Sequence, residues 1–238
     1  MPGRIRIPAD RIEALTDAVF GLALTLTAIQ LAFTPPTLVY QVLTNILDFA
    51  FSFGVLILIW FAYTEIARAI RIEVPVLLAL NLLLLLFVTL EPYLLNILWI
   101  GIFEGRDSTI LYFSSVAYTL DLAGMFLLLG FLGIQTAREG TARPAAGGGR
   151  ARLRRQGWVR VGVAGGFLVT LLPVFWDLKF GLPGLNNGIG APVHFHLAYL
   201  VWVGLFAAAA LGASIDRTSG PPEPSTESEP ETPEGRDG

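Results

Sequence analysis

The stretch Pro75–Ile97, PVLLALNLLLLLFVTLEPYLLNI, runs apolar almost without interruption for long enough to cross the hydrocarbon core of a bilayer as one helix. Runs of the same kind recur along the chain, separated by short polar breaks. Composition agrees: 54% of residues are hydrophobic, 15% are charged and the mean hydropathy is +0.64, all outside the range of an ordinary soluble domain. A helix satisfies its own backbone groups in hydrocarbon, so these runs predict an all-α membrane protein built as a helix bundle. A β-barrel would show alternating segments of roughly ten residues, whereas these runs are continuous and Leu-rich.

Outward from that stretch, the sequence predicts six spans, at about 14–34, 44–66, 75–97, 110–135, 158–176 and 195–214. The predicted organisation is an N-terminal cytoplasmic segment 1–13, a six-helix transmembrane domain 14–214 and a disordered acidic cytoplasmic tail 215–238, rich in Pro, Glu, Ser and Thr. The opening MPGRIRIPAD sets basic residues before an apolar run, as a signal peptide does. No small-residue cleavage site follows, so the segment is read as retained. The first span ends at Pro35-Pro36.

An even number of spans puts both termini on one side, and the arginines choose it. Arg4, Arg6 and Arg11 precede the first span, and Arg68 and Arg71 separate the second and third. Arg138, Arg143, Arg150, Arg152, Arg154, Arg155 and Arg160 follow the fourth, while the opposite loops hold only Arg106 and Lys179. The basic segments belong in the cytoplasm, with the plasma membrane as the expected location. The Arg/Gly-rich stretch 138–157, including Gly147-Gly148-Gly149, has no apolar face and predicts a mobile linker. Its arginines serve as topological charge or, alternatively, as a contact for anionic lipid headgroups. Phe180–Pro192, with its glycines and prolines, predicts an external loop.

Ionisable residues in a span cost roughly 2.5–3.5 kcal/mol at its centre and so mark partners or water-lined sites. Arg11 and Asp17, with Thr16 beside the acid, sit at the cytoplasmic entry of the first span, as a polar clamp between helices or as a mouth attracting cations. Beyond them Leu22, Thr25, Leu26 and Ile29 recur at three- and four-residue steps and share one apolar face. That face serves helix packing, or, in a ring of identical subunits, a hydrophobic constriction able to gate by dewetting. Gln30 lies near the far end of the same span. Trp60, Tyr63 and Glu65 approach the cytoplasmic end of the second span, and Asn81 lies inside the third, where it needs a hydrogen-bond partner. Asp121, halfway along the fourth span, is read as the deepest acid, a functional candidate or a partner for a neighbouring Asn, Thr or Tyr.

Several chemistries are unsupported. The sequence holds no cysteine, which removes disulfides, thiolate nucleophiles and cysteine metal sites. His194 and His196 form an H-x-H pair with no further ligand in view, so no metal is expected. Phosphate loops, H-E-x-x-H and paired helical carboxylates are all missing, so no enzyme and no cofactor are expected.

The residues Arg11–Leu31, RIEALTDAVFGLALTLTAIQL, resemble the R-x-x-x-F-S-D-x-V-F-A-I-x-x-T-L signature of the transmembrane protein 175 family of potassium-permeable channels. Arg11, Asp17, Val19, Phe20, Thr25 and Leu26 fall in register, with Thr16 for the serine. The Asn-Leu-rich third span and the six-span layout are similar to a bacterial one-repeat subunit. The resemblance implies a homotetramer whose first helices line a central pore lacking a T-V-G-Y-G loop, with potassium as the permeant ion. Leu22, Thr25, Leu26 and Ile29 would then line the pore, with Leu22 at the constriction, and Arg11, Thr16, Asp17, Trp60 and Asn81 would form a supporting polar network. Departures are Leu15 for the signature Phe, Gly21 for an Ala, and Tyr63 three residues after Trp60, where relatives carry His. Two other readings stay open: a non-conducting membrane scaffold of the same fold, and a proton-coupled carrier using Asp121.

Overall fold

The computed structural model describes residues 9–33, 39–67, 75–103, 108–138, 149–186 and 192–218. In chain order these form α1 (Ala9–Phe33), α2 (Val39–Ala67), α3 (Pro75–Phe103), α4 (Ser108–Arg138), α5 (Gly149–Val169), α6 (Val174–Asp177), β1 (Lys179–Asn186), β2 (Pro192–His196) and α7 (Leu197–Thr218). Three helices, over Gln41–Ala67, Pro75–Phe103 and Thr109–Arg138, are long and apolar enough to cross a membrane. Ala14–Ile29 and Leu197–Leu211 are shorter apolar stretches within α1 and α7. The architecture is that of a helical membrane protein, with most described residues in helices.

The core forms around α4, which packs against α3 on one side and α5 on the other, while α1 lies against α2 and α3 and α7 against α5. Tyr118, Leu122, Met125, Phe126, Leu129 and Leu132 of α4 are fully buried. In hydrocarbon, water does not push helices together, so close packing and polar contacts must hold them. The α4·α5 contact shows how. A Cβ added at Gly130 would sit 2.7 Å from Val161 Cγ2 and 2.9 Å from the Gly157 carbonyl, and one at Gly157 would sit 2.9 Å from the Gly130 carbonyl. The two backbones touch where neither residue has a side chain.

That contact corrects the linker reading. The segment expected to be mobile over 138–157 is helical from Gly149 onward, and Arg138 belongs to α4. Leu153 and Gln156 are buried in α5, because the small Gly157 lets this arginine-rich turn lie flat on α4. The fifth predicted span, 158–176, is likewise corrected: α5 ends at Val169. The backbone N–H groups of Leu171 and Leu172 turn to the carbonyls three residues back, at 3.1 Å each, and Pro173 leads into the short α6.

The predicted loop at Phe180–Pro192 is also corrected. β1 and β2 pair antiparallel, Lys179 opposite His196, Phe180 opposite Phe195 and Gly181 opposite His194, with a register irregularity between Gly181 and Asn186. In a two-stranded ribbon each strand has a free edge, which tolerates the prolines at 183 and 192. The other helices begin or end a few residues from the predicted limits: α1 starts at Ala9, α3 continues to Phe103 through Pro92, and α7 continues to Thr218. Arg4, Arg6, Arg68, Arg71, Arg106, Arg143, the Pro35-Pro36 stop and the tail from Ser219 lie outside the described residues.

Candidate functional site

The helix α1 has two unlike faces. Ile12, Thr16, Phe20, Ala23 and Thr27, at helical spacing, are buried against the rest of the chain. The opposite stripe is uncovered: Leu15, Leu22, Leu26 and Ile29 are 46%, 56%, 38% and 47% exposed, and Thr25 lies among them with its hydroxyl donating to the Leu22 carbonyl at 2.7 Å. The four residues Leu22, Thr25, Leu26 and Ile29 therefore share a face that the other described residues leave exposed. Gly21 lies on the same stripe, and a Cβ there would meet nothing within 4 Å.

At the arginine-rich end of the bundle, α2 grips the first half of α1. The Thr16 hydroxyl donates to the Ile12 carbonyl at 2.9 Å and shares a 3.2 Å hydrogen bond with Tyr63 Oη, while Trp60 Nε1–H donates to Asp17 Oδ1 at 3.1 Å. The Tyr63 phenol thus reaches across to α1. Of the expected network, Thr16, Asp17 and Trp60 are brought together. Arg11 is exposed and bonds to none of the described residues. Asn81 is buried in α3 with neither side-chain atom bonded to a described residue. Glu65 is ion-paired with Arg160 at 3.3 Å and approaches Arg152 at 3.9 Å, which ties α2 to α5.

The opposite half of the bundle holds a polar chain that sequence reasoning missed. Thr27 of α1 shares a 3.3 Å hydrogen bond with Ser52 of α2, Ser52 donates to Glu91 Oε2 of α3 at 2.6 Å, and Tyr118 of α4 donates to Glu91 Oε1 at 3.2 Å. Four helices are joined through one carboxyl group. Asp48, a turn before Ser52, is held by Asn96. Asp121, a turn after Tyr118, has neither carboxyl oxygen bonded to a described residue. Glu91 interacts electrostatically with both aspartates, and no Lys or Arg among the described residues pairs with any of the three. Asp121 and Glu91 are both buried, at 2% and 0% exposure. The signal was present, since Asp48 and Glu91 each sit inside an apolar run. Above this chain Trp176, His196, Tyr199 and Trp202 pack ring to ring, and His196 Nδ1 lies 2.6 Å from the Trp176 carbonyl. Among the described residues no three His, Cys, Asp or Glu side chains are grouped to hold a metal ion.

Residues 11–92 match the family model described as Endosomal/lysosomal potassium channel TMEM175. This segment is similar to the TMEM175 family. The TMEM175 match takes in nearly all of α1, all of α2 and the first part of α3, and ends beyond Glu91. It therefore includes the uncovered stripe of α1, the α1–α2 clamp and two of the three buried acids, while Tyr118 and Asp121 lie outside it. TMEM175 is a family of potassium channels, and the apolar helices of this chain suit that setting. No curated protein and no solved structure matches the chain.

Proposed function

We propose that this protein is a passive potassium-permeable channel, a homotetramer of six-span subunits in the plasma membrane with both termini cytoplasmic. The first helix of each subunit lines a central pore, Leu22 forms the constriction, and Ile29, Leu26 and Thr25 line the path beyond. Arg11, Thr16, Asp17, Trp60 and Asn81 support the pore helix near its cytoplasmic end. Potassium is the permeant species, no cofactor takes part and no catalytic step is implied. The observation that carries this reading is the apolar stripe of α1, left uncovered by a helix whose other face is anchored to α2 and α3, inside the segment that matches the TMEM175 model. Four such stripes meeting at a symmetry axis enclose a narrow path that is wetted or dewetted by small changes in radius.

The test is potassium flux into liposomes holding the purified protein, driven by a potassium gradient without a pH gradient. Leu22→Ala and Ile29→Ala are expected to change the flux several-fold, because each trims the apolar ring. Unchanged flux in both, from folded and inserted protein, would exclude α1 as the pore lining; no flux at all would favour the scaffold. A second reading, the proton-coupled carrier, is favoured by the buried and unbonded Asp121. In the same liposomes it predicts transport that needs a pH gradient and fails in Asp121→Asn, whereas the channel keeps conducting.

A further inference from the structure

Between the last turn of α4 and the first two turns of α5 lies a cleft of ≈ 720 Å³, lined by Arg138, Arg150, Arg154, Arg155 and Trp158 with two alanines on its walls. Its volume falls within the range of small-molecule sites, roughly 300–1,000 Å³. Four arginines line one space. Arg150, Arg154 and Trp158 follow one another at four-residue steps along α5, and Arg138 closes the cleft from α4. The nearby Arg152 and Arg160 are turned instead toward Glu65. Arg138 and Arg154 therefore bring positive charge to the cleft, and the positive end of the α5 dipole adds to it.

Guanidinium groups bind phosphate oxygens in paired hydrogen bonds, so the ligand class is a phosphate ester carrying more than one negative charge. The location narrows it further. Trp158 is 60% exposed at the rim, where α5 changes from its arginine-rich first half to the apolar GVAGGFLV that follows, and indole rings favour the headgroup level of a bilayer. A basic cavity between helix ends at that level fits a lipid headgroup better than a free anion. From this arrangement we infer that the cleft between α4 and α5 is a binding site for the phosphorylated headgroup of an anionic lipid, with Trp158 against the lipid's glycerol and upper chains. The inference rests on the chain being membrane-embedded and is independent of conduction.

The test uses the full chain in detergent micelles, where neither orientation nor ion flux bears on the result. It is titrated with a short-chain phosphatidylinositol bisphosphate, with a short-chain phosphatidylcholine, with soluble inositol phosphate and with inorganic phosphate. Saturable binding of the bisphosphate lipid alone is expected, weakened about tenfold or more in Arg138→Gln/Arg154→Gln. Arg154→Gln, a single exposed change, should weaken it less, and Lys179→Gln, which removes one charge on β1, should leave it intact. Equal affinity in wild type and both cleft variants would overturn the site, as would a loss in Lys179→Gln equal to that in Arg154→Gln. Soluble inositol phosphate or inorganic phosphate binding as tightly as the lipid would show a free-anion site and overturn the lipid assignment.

Discussion

Tyr63 shows how one hydroxyl can join two helices. Its phenol meets the Thr16 hydroxyl at 3.2 Å, while Thr16 also donates to its own helix. Thr16 therefore keeps a partner when the phenol is removed, and the cost of Tyr63→Phe should be limited to about 1 kcal/mol, the net worth of an ordinary buried hydrogen bond. A fall of a few degrees in the melting temperature in detergent is expected, with the helix content intact. A loss of folding instead would mean that Tyr63 holds more than Thr16. Glu91 differs at the same scale, because it accepts from both Ser52 and Tyr118 and no cation answers it among the described residues. The pattern of apolar runs points to no such meeting, since these partners stand 39 and 27 positions from it in sequence.

Among the elements, α5 departs most from the sequence expectation. Its first half reads as linker because arginines and glycines dominate it, yet Gly157 is what lets it join the bundle, backbone to backbone with Gly130. Gly157→Val places branched carbon where Ile134 Cγ1 stands 2.7 Å and the Gly130 carbonyl 2.9 Å from a bare Cβ. Separating the helices should cost about 2–3 kcal/mol by over-packing, and it also loosens the Arg160–Glu65 bridge. Thermal unfolding in detergent should show a clearly lowered transition. In contrast, Gly162→Val on the same helix, where a Cβ would meet nothing within 4 Å, should leave it nearly unchanged. Equal effects at both positions would argue against the close contact.

For the whole molecule, the uncovered face of α1 is the surface that the proposed pore assigns to contact with further copies of the chain. Because the sequence holds no cysteine, one placed at Leu22 reports on that face without background. Copies of Leu22→Cys in membranes should cross-link to dimers under mild oxidation if four first helices meet at an axis. The same change at Leu84, buried in the chain's own core, should not. The sequence by itself determined that the chain is helical and membrane-embedded and which residues share the α1 stripe, because long apolar runs and a 3.6-residue period are local properties. Only the tertiary structure decided that Thr16 meets Tyr63, that Ser52 and Tyr118 converge on Glu91, and that Glu65 pairs with Arg160 from 95 positions away. Those meetings depend on how closely and at what height the helices lie side by side. That spacing is set by contacts such as Gly130 on Gly157, which no pattern within one helix encodes.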